Sequence, residues 1–289
     1  MTDDVHDDNS PLAGTEIHYL QSAAVGDEFK IFVGHCGDTG EQPAAVLYLT
    51  DANGQFGAAV DVVRSLQLDQ HLPPMLIVGI GYRMGGIIDT IAIRTRDLTP
   101  TVDDDYARLV PAQSEMGGAP RLLQFIRTEL MPWVAERYNV DAAGAAYFGH
   151  SLGGLFGCYV LLHASDTFGR YAISSPSLWW HFDAMFDMEA AYAGAHDDLP
   201  ARVFFAIGAF EDEAGRHREV ERLSAEIQAL ARARPIDMVA DTLRMVERLD
   251  SRGYPSLELE SIVFPEEFHI TVWPLSLSRA LRHLFDAPM

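Results

Sequence analysis

The stretch AAYFGHSLGGLFGCYVLLHA, residues 145–164, sets the terms on which the chain is read. A short apolar run (145–150) leads directly into Ser151, and a longer apolar run (152–164) follows it. Short runs rich in aromatic and small apolar residues read as buried strands, and longer ones as helices. The stretch is therefore a strand, a sharp turn and a buried helix. Gly149, Ser151 and Gly153 fall on a G-x-S-x-G pattern at the turn. Such an elbow lifts a serine hydroxyl above the end of the sheet, and the flanking positions must lack side chains because backbone passes close to them. A glycine-rich helix entry without chemistry shares the letters, but the placement between apolar strand and apolar helix favours the elbow.

Working outward, the same alternation recurs. Candidate strands are EFKIFVGH (28–35), AVLYLT (45–50), MLIVGIGY (75–82), AAYFGH (145–150), RYAISS (170–175), RVFFAIG (202–208) and LELESIVF (257–264). Several are continuously apolar, as strands buried on both faces are, which predicts a mostly parallel sheet with helices on each side. Helical stretches lie at 57–67, 121–138, 152–164, 219–235 and 276–286. Within 121–138, Leu122, Phe125, Ile126, Leu130, Trp133 and Val134 recur at helical spacing and form a core-facing stripe. The fold class is α/β, with one domain over 15–289 and an acidic tail over 1–14 expected to be disordered. The aromatic, irregular segment 176–200 suits a small lid over the site.

Composition narrows the function. The chain has 289 residues, and 42 acidic against 21 basic residues leave a net charge of −21, which repels nucleic acid and anionic membranes. Its two cysteines, Cys36 and Cys158, make neither a disulfide framework nor a zinc spacing. The N-terminal MTDDVHDDNSPLAG lacks the basic and apolar regions of a secretory signal, so a cytoplasmic location is expected. No apolar run reaches membrane-spanning length. The pairs and runs of aspartate lack the glycine and closing glutamate of a calcium loop, and Gly79-Ile80-Gly81 lacks the third glycine of a dinucleotide loop. No cofactor and no metal are implied, and the expected partner is a small-molecule ester.

A serine hydroxyl needs a general base, and the base needs a carboxylate to hold its ring. After Ser151 the candidate bases are His217, His269 and His283. His269, in VFPEEFHITVWP just past the last strand candidate, is the best placed; His217 lies in a charged run and His283 inside an apolar helix. For the acid, the strand RVFFAIG is followed by Glu211, Asp212 and Glu213, and spacing does not choose among them. The oxyanion of a tetrahedral intermediate needs two donors: the N–H of Leu152, directly after the serine, and one from the loop after AVLYLT.

The combination YLTDANGQF, VGIGYR, RTRDLTPT, FIRTELMPWVAERYNVD, YFGHSLGGLFGCYVLL, YAISSPSLWW, AIGAFEDE and VFPEEFHITVW resembles the Putative esterase family of α/β-hydrolases, which contains siderophore (enterobactin-type) esterases and is distantly related to esterase D. The resemblance runs from about residue 17 to 285, and SPSLWW is its most distinctive part. It implies an α/β-hydrolase fold in which Ser151 is the nucleophile, His269 the base and, from Gly-x-x-Glu falling on 208–211, Glu211 the acid. It also places the second oxyanion donor at the N–H of Asn53. There the chain departs from its relatives by carrying Ala52 where glycine is common, and alanine resists a positive φ. Arg94 and Arg96 are candidate contacts to an anionic substrate, with salt bridges as the alternative, and Trp179 and Trp180 could stack on a substrate ring or pack beneath the lid.

The expected activity is that of a serine carboxylic-ester hydrolase (EC 3.1-type) working through an acyl-enzyme, on small or aromatic acyl esters. The alternatives are a siderophore trilactone esterase, an acyltransferase, a peptidase and a non-catalytic binding module on the same fold.

Overall fold

In the computed structural model, residues 12–38, 40, 42–69, 72–83, 87–107, 115–221, 228 and 236–285 are described. Each strand expected from an apolar run is present: β2 (Glu28–Cys36), β3 (Ala44–Leu49), β4 (Met75–Tyr82), β5 (Val140–His150), β6 (Arg170–Ser174), β7 (Ala201–Gly208) and β8 (Leu257–Phe264). An eighth, β1 (Thr15–Gln21), precedes them and was not anticipated. Its sequence TEIHYLQ buries only His18 and Leu20 at the sheet edge, paired antiparallel to β2. The sheet order is β1-β2-β4-β3-β5-β6-β7-β8, with β2 antiparallel to β4 and every pair from β4 to β8 parallel. All eight residues of β4 are buried, as an interior strand covered on both faces requires. At the other edge, β8 exposes Glu258 and Glu260, charges that discourage further pairing.

The helices are α1 (Ala52–Leu68), α2 (Ile87–Leu98), α3 (Asp104–Ala107), α4 (Ala119–Phe125), α5 (Met131–Arg137), α6 (Leu152–His163), α7 (Ala184–Ala195), α8 (Glu213–Val220), α9 (Met238–Ser251) and α10 (Val272–Leu284). One face of the sheet is covered by α1 and α10, through Phe56, Val60, Val63, Leu277 and Leu281 against Leu47, Ile77, Phe148 and Phe204. The other is covered by α4 to α7, against Tyr48, Val78, Tyr147, Ile173 and Phe205. Helix α6 is buried from Leu152 to Leu162, so it can be apolar all round. The expected 121–138 helix is real, but α4 and α5 are joined by a π-helical turn, Ile126–Leu130. Pro132 follows; having no N–H to donate and a ring that would strike the carbonyl four residues back, it favours a wider turn there. Of its predicted stripe only Trp133 stays partly exposed.

Of the tail expected over 1–14, residues 1–11 lie outside the described residues, as do 222–227 and 229–235 of the helix expected over 219–235. Both cysteines are free and buried. Among the described residues no helix is long and apolar enough to cross a membrane.

The 176–200 insertion carries α7, and α9 and its C-cap fasten it with arginines four residues apart. Arg244 pairs with Asp183 at 2.6 Å and lies over the Phe186 ring, Arg248 donates to the Phe186 carbonyl, and Arg252 donates to both oxygens of the fully buried Glu189 at 2.7 and 2.9 Å. The segment expected to form a lid is thus a clamped layer whose α7 packs beside α6 in the core.

Candidate active site

Strands β5, β6 and β7 lie side by side, and the turns at their C-terminal ends build the site. Ser151 joins β5 to α6 with φ 62° and ψ −119°, a conformation that costs an L-residue of order 1–2 kcal/mol. The surrounding contacts hold it there. Its N–H donates to the Ser174 carbonyl at 3.0 Å, and its own carbonyl accepts from Leu155 and Ser177. The flanking glycines are needed for space: a Cβ at 149 would strike the Gly153 carbonyl, and one at 153 would sit 2.5 Å from Thr50 Oγ1.

The Ser151 hydroxyl lies 3.0 Å from His269 Nε2, and His269 Nδ1 lies 2.6 Å from Glu211 Oε2. Glu211 is fully buried in a short 3₁₀ turn, Ala209–Glu211, directly after β7. Its other oxygen accepts from the Ser175 hydroxyl at 2.6 Å and the Gly208 N–H at 2.8 Å, so the carboxylate meets three donors without a lysine or arginine among them. A carboxylate at Nδ1 fixes that nitrogen as the protonated one and leaves Nε2 as the acceptor for the serine proton. The loop carrying His269 is tied to the same turn, because Phe210 donates to the Glu267 carbonyl at 3.0 Å.

The neighbouring carboxylates have other tasks. Asp212 accepts from Gly215 N–H at the start of α8, and Glu213 is exposed beside His217. His283 pairs with Glu260 along the outer strand. The structure thus brings His269 and Glu211 to Ser151 and places the alternatives elsewhere.

Leu152 and Asn53 both sit in the first turn of a helix, where backbone N–H groups have no partner within the helix. The strain expected at Ala52 falls one residue earlier: Asp51 takes φ 56°, while Ala52 is the first helical residue and is buried against the bare Gly79. Asn53 is pegged to the end of β4 by a pair of hydrogen bonds, accepting from Tyr82 N–H at 2.7 Å and donating to the Tyr82 carbonyl at 2.8 Å.

Arg94 spends its fork on Asp51, with Nε and Nη2 at 2.8 and 2.7 Å from the two carboxylate oxygens, and both side chains are largely buried. Arg96 is likewise engaged, with Asp97 at 2.7 Å and Asp27 at 3.1 Å. Trp180 is fully buried, donates to the Thr101 carbonyl and packs against Tyr106, while Trp179 is half-buried on the same ring. The arginines therefore act as salt-bridge partners here, and Trp180 anchors the 176–200 segment against Thr101 and Tyr106.

Sequence reasoning missed Ser175, which holds Glu211, and Asp51, which holds the α1 entry. It also missed His150, whose buried ring faces that of His269 at 4.6 Å between centroids. Ser175, at φ 42°, had a visible signal in SPSLWW, since a strained serine before proline is costly without a task.

The Putative esterase family model matches residues 22–242. The chain is 29% identical to the ferri-bacillibactin esterase BesA of Bacillus subtilis, over 94% of this chain and 89% of the relative. It is 28% identical to the siderophore triacetylfusarinine C esterase of Aspergillus fumigatus, over 96% and 94%. Among solved structures, the BES protein of Bacillus cereus superposes with a TM-score of 0.78 at 26% identity, covering 97% of this chain and 99% of that one. The elbow, the sheet order and a family match across most of the length agree: the chain belongs to the Putative esterase family.

Proposed function

We propose that the protein is a serine ester hydrolase in which Ser151 is the nucleophile, His269 the general base and Glu211 the group that orients and charges the base. The observation that carries this reading is the unbroken hydrogen-bonded line from Ser151 Oγ through His269 to a buried Glu211, at 3.0 and 2.6 Å.

As Ser151 Oγ attacks the ester carbonyl, its proton moves to His269 Nε2, and the imidazolium is stabilised by Glu211. The negative oxygen of the tetrahedral intermediate is taken up by the N–H groups of Leu152 and Asn53. Collapse expels the alcohol, protonated by His269 Nε2, and leaves an acyl group on Ser151. Water then repeats the sequence, with His269 as base, and releases the acid.

For the substrate we propose a siderophore-type ester. Relatives matched over nearly the whole length are named for such esters, which weighs against the expectation of small or aromatic acyl esters as the main class. A second reading keeps those simpler esters, and a specific observation favours it: Arg94 and Arg96 are occupied by aspartates, in a chain of net charge −21. A strongly anionic ferric chelate would meet an opposing field, screened only beyond about 8 Å at physiological salt.

The test is the initial rate of the wild type and of Ser151→Ala on iron-loaded and iron-free trilactone and hydroxamate siderophores, short and long acyl p-nitrophenyl esters, a thioester and a peptide amide. Activity lost in Ser151→Ala supports the serine mechanism, and the siderophores must outrank the simple esters in kcat/KM. The reverse ranking favours the second reading, and no activity together with no labelling of Ser151 by a fluorophosphonate overturns the hydrolase.

A further inference from the structure

His150, the last residue of β5, is buried at 4% exposure and faces the His269 ring with 4.6 Å between centroids and 37° between planes. Its Nδ1 lies 3.0 Å from the Ser174 hydroxyl, and the Ser174 carbonyl also receives the Ser151 N–H. One residue of β6 thus steadies both the nucleophile's backbone and the ring beneath the base. A buried ring held against the face of the base implies a task.

We infer that His150 is a positioning residue: a flat ring that supports one face of His269, keeps it in the plane shared by Ser151 and Glu211, and keeps water off that face. The inference rests on the proposed roles of Ser151 and His269.

Charge explains why the ring must be neutral. A second imidazolium 4.6 Å away would oppose protonation of His269 when it takes the serine proton. Desolvation, the nearby His269 and Arg94 together push the His150 pKa well below its usual value, against a smaller upward pull from the His269 and Ser174 backbone carbonyls. The other ionisable groups near the two rings are Glu211, bonded to His269 from the turn after β7, Arg94 of α2, whose charge acts on His150, and Glu266 and Glu267 on the His269 loop. Of these ionisable groups Glu211 bonds the His269 ring directly, and His150 is in ring contact with it.

The test uses the rate of Ser151 labelling by a fluorophosphonate, and kcat and KM on a p-nitrophenyl ester, from about pH 5 to about pH 9. His150→Asn can keep a bond to Ser174 but removes the ring face. It should cut labelling and kcat by about tenfold to a hundredfold, the scale of a misplaced catalytic group, with KM nearly unchanged. Its acid limb should also move upward, since water admitted beside His269 stabilises the imidazolium. His150→Phe restores a flat neutral ring without the hydrogen bond, and should recover most of the rate and the wild-type acid limb. Wild-type rate and pH profile in His150→Asn would overturn the inference. If that variant does not fold, a tenfold loss in His150→Phe overturns it instead. Failure of the wild type to label would remove the proposed function and this inference together.

Discussion

Glu211→Gln changes one oxygen to an amide nitrogen inside a fully buried pocket, and the hydrogen bonds dictate how the amide must lie. Oε1 accepts from both the Ser175 hydroxyl and the Gly208 N–H, so the amide oxygen takes that side. The NH₂ then faces His269 Nδ1, where the wild type has a carboxylate at 2.6 Å. Nδ1 must now accept, which moves the ring proton to Nε2 and leaves nothing to receive the Ser151 proton. A base locked in the wrong tautomer costs about four orders of magnitude in kcat, or ~5 kcal/mol of transition-state stabilisation. The fold should survive, because shape and most hydrogen bonds are kept, so the expected change in stability is within about 1 kcal/mol. The assay is kcat on a p-nitrophenyl ester at neutral pH, with thermal unfolding on the same samples. Asp212→Asn and Glu213→Gln are the controls and should stay within about threefold, the scale of surface changes. A Glu211→Gln enzyme retaining more than a tenth of wild-type kcat, or one less damaged than either control, refutes the tautomer argument.

Other outcomes follow from the same geometry. Ser151→Gly should abolish turnover yet raise Tm by about 2 °C, because relief of the φ 62° strain exceeds the added chain entropy by ~1 kcal/mol; an unchanged or lower Tm shows that the elbow is not strained. Arg94→Met strands the Asp51 carboxylate and should cost about 3 kcal/mol in urea unfolding, more than half of it recovered in Arg94→Met/Asp51→Asn; full stability of the single variant contradicts the pairing. Burial alone would raise the Glu16 pKa, but hydrogen bonds from His18, Tyr138 and His35 outweigh it and bring it to about 2. Its contribution is therefore present above the unfolded value near 4.5 and lost as pH falls toward 2, so Glu16→Gln should flatten the stability curve in that window; an identical acid slope in both proteins removes Glu16 as the source.

Most of the sheet was legible in sequence because strands buried on both faces must be apolar throughout, as MLIVGIGY is. Strand β1 was not, since an edge strand needs only alternate burial and TEIHYLQ resembles a polar approach to the fold. Helix α9 was overlooked although Met238, Thr242, Met245 and Leu249 mark a buried stripe at helical spacing; its Arg244 and Arg248, with Arg252 at its C-cap, fasten the 176–200 segment. In the candidate site, the Ser151 elbow announced itself through glycines that contact forbids replacing. The acid could not, because Glu211, Asp212 and Glu213 differ only in where a three-residue turn aims them. Supporting groups such as His150, Ser175 and Asp51 are invisible for a related reason: each looks like an ordinary polar residue at a strand end until the partner from a distant segment is in place.

The side-by-side order β5-β6-β7-β8 has a bearing on how the chain acquires activity. Ser151 and Glu211 are drawn to His269 across 118 and 58 residues of sequence, and each contact depends on a parallel strand having already docked on its neighbour. Parallel pairing of distant segments is slow, because loop closure must precede the contacts that reward it. Ester hydrolysis should therefore return late in refolding, after far-ultraviolet circular dichroism has recovered, making enzymatic turnover a stringent clock for completion of the last strands.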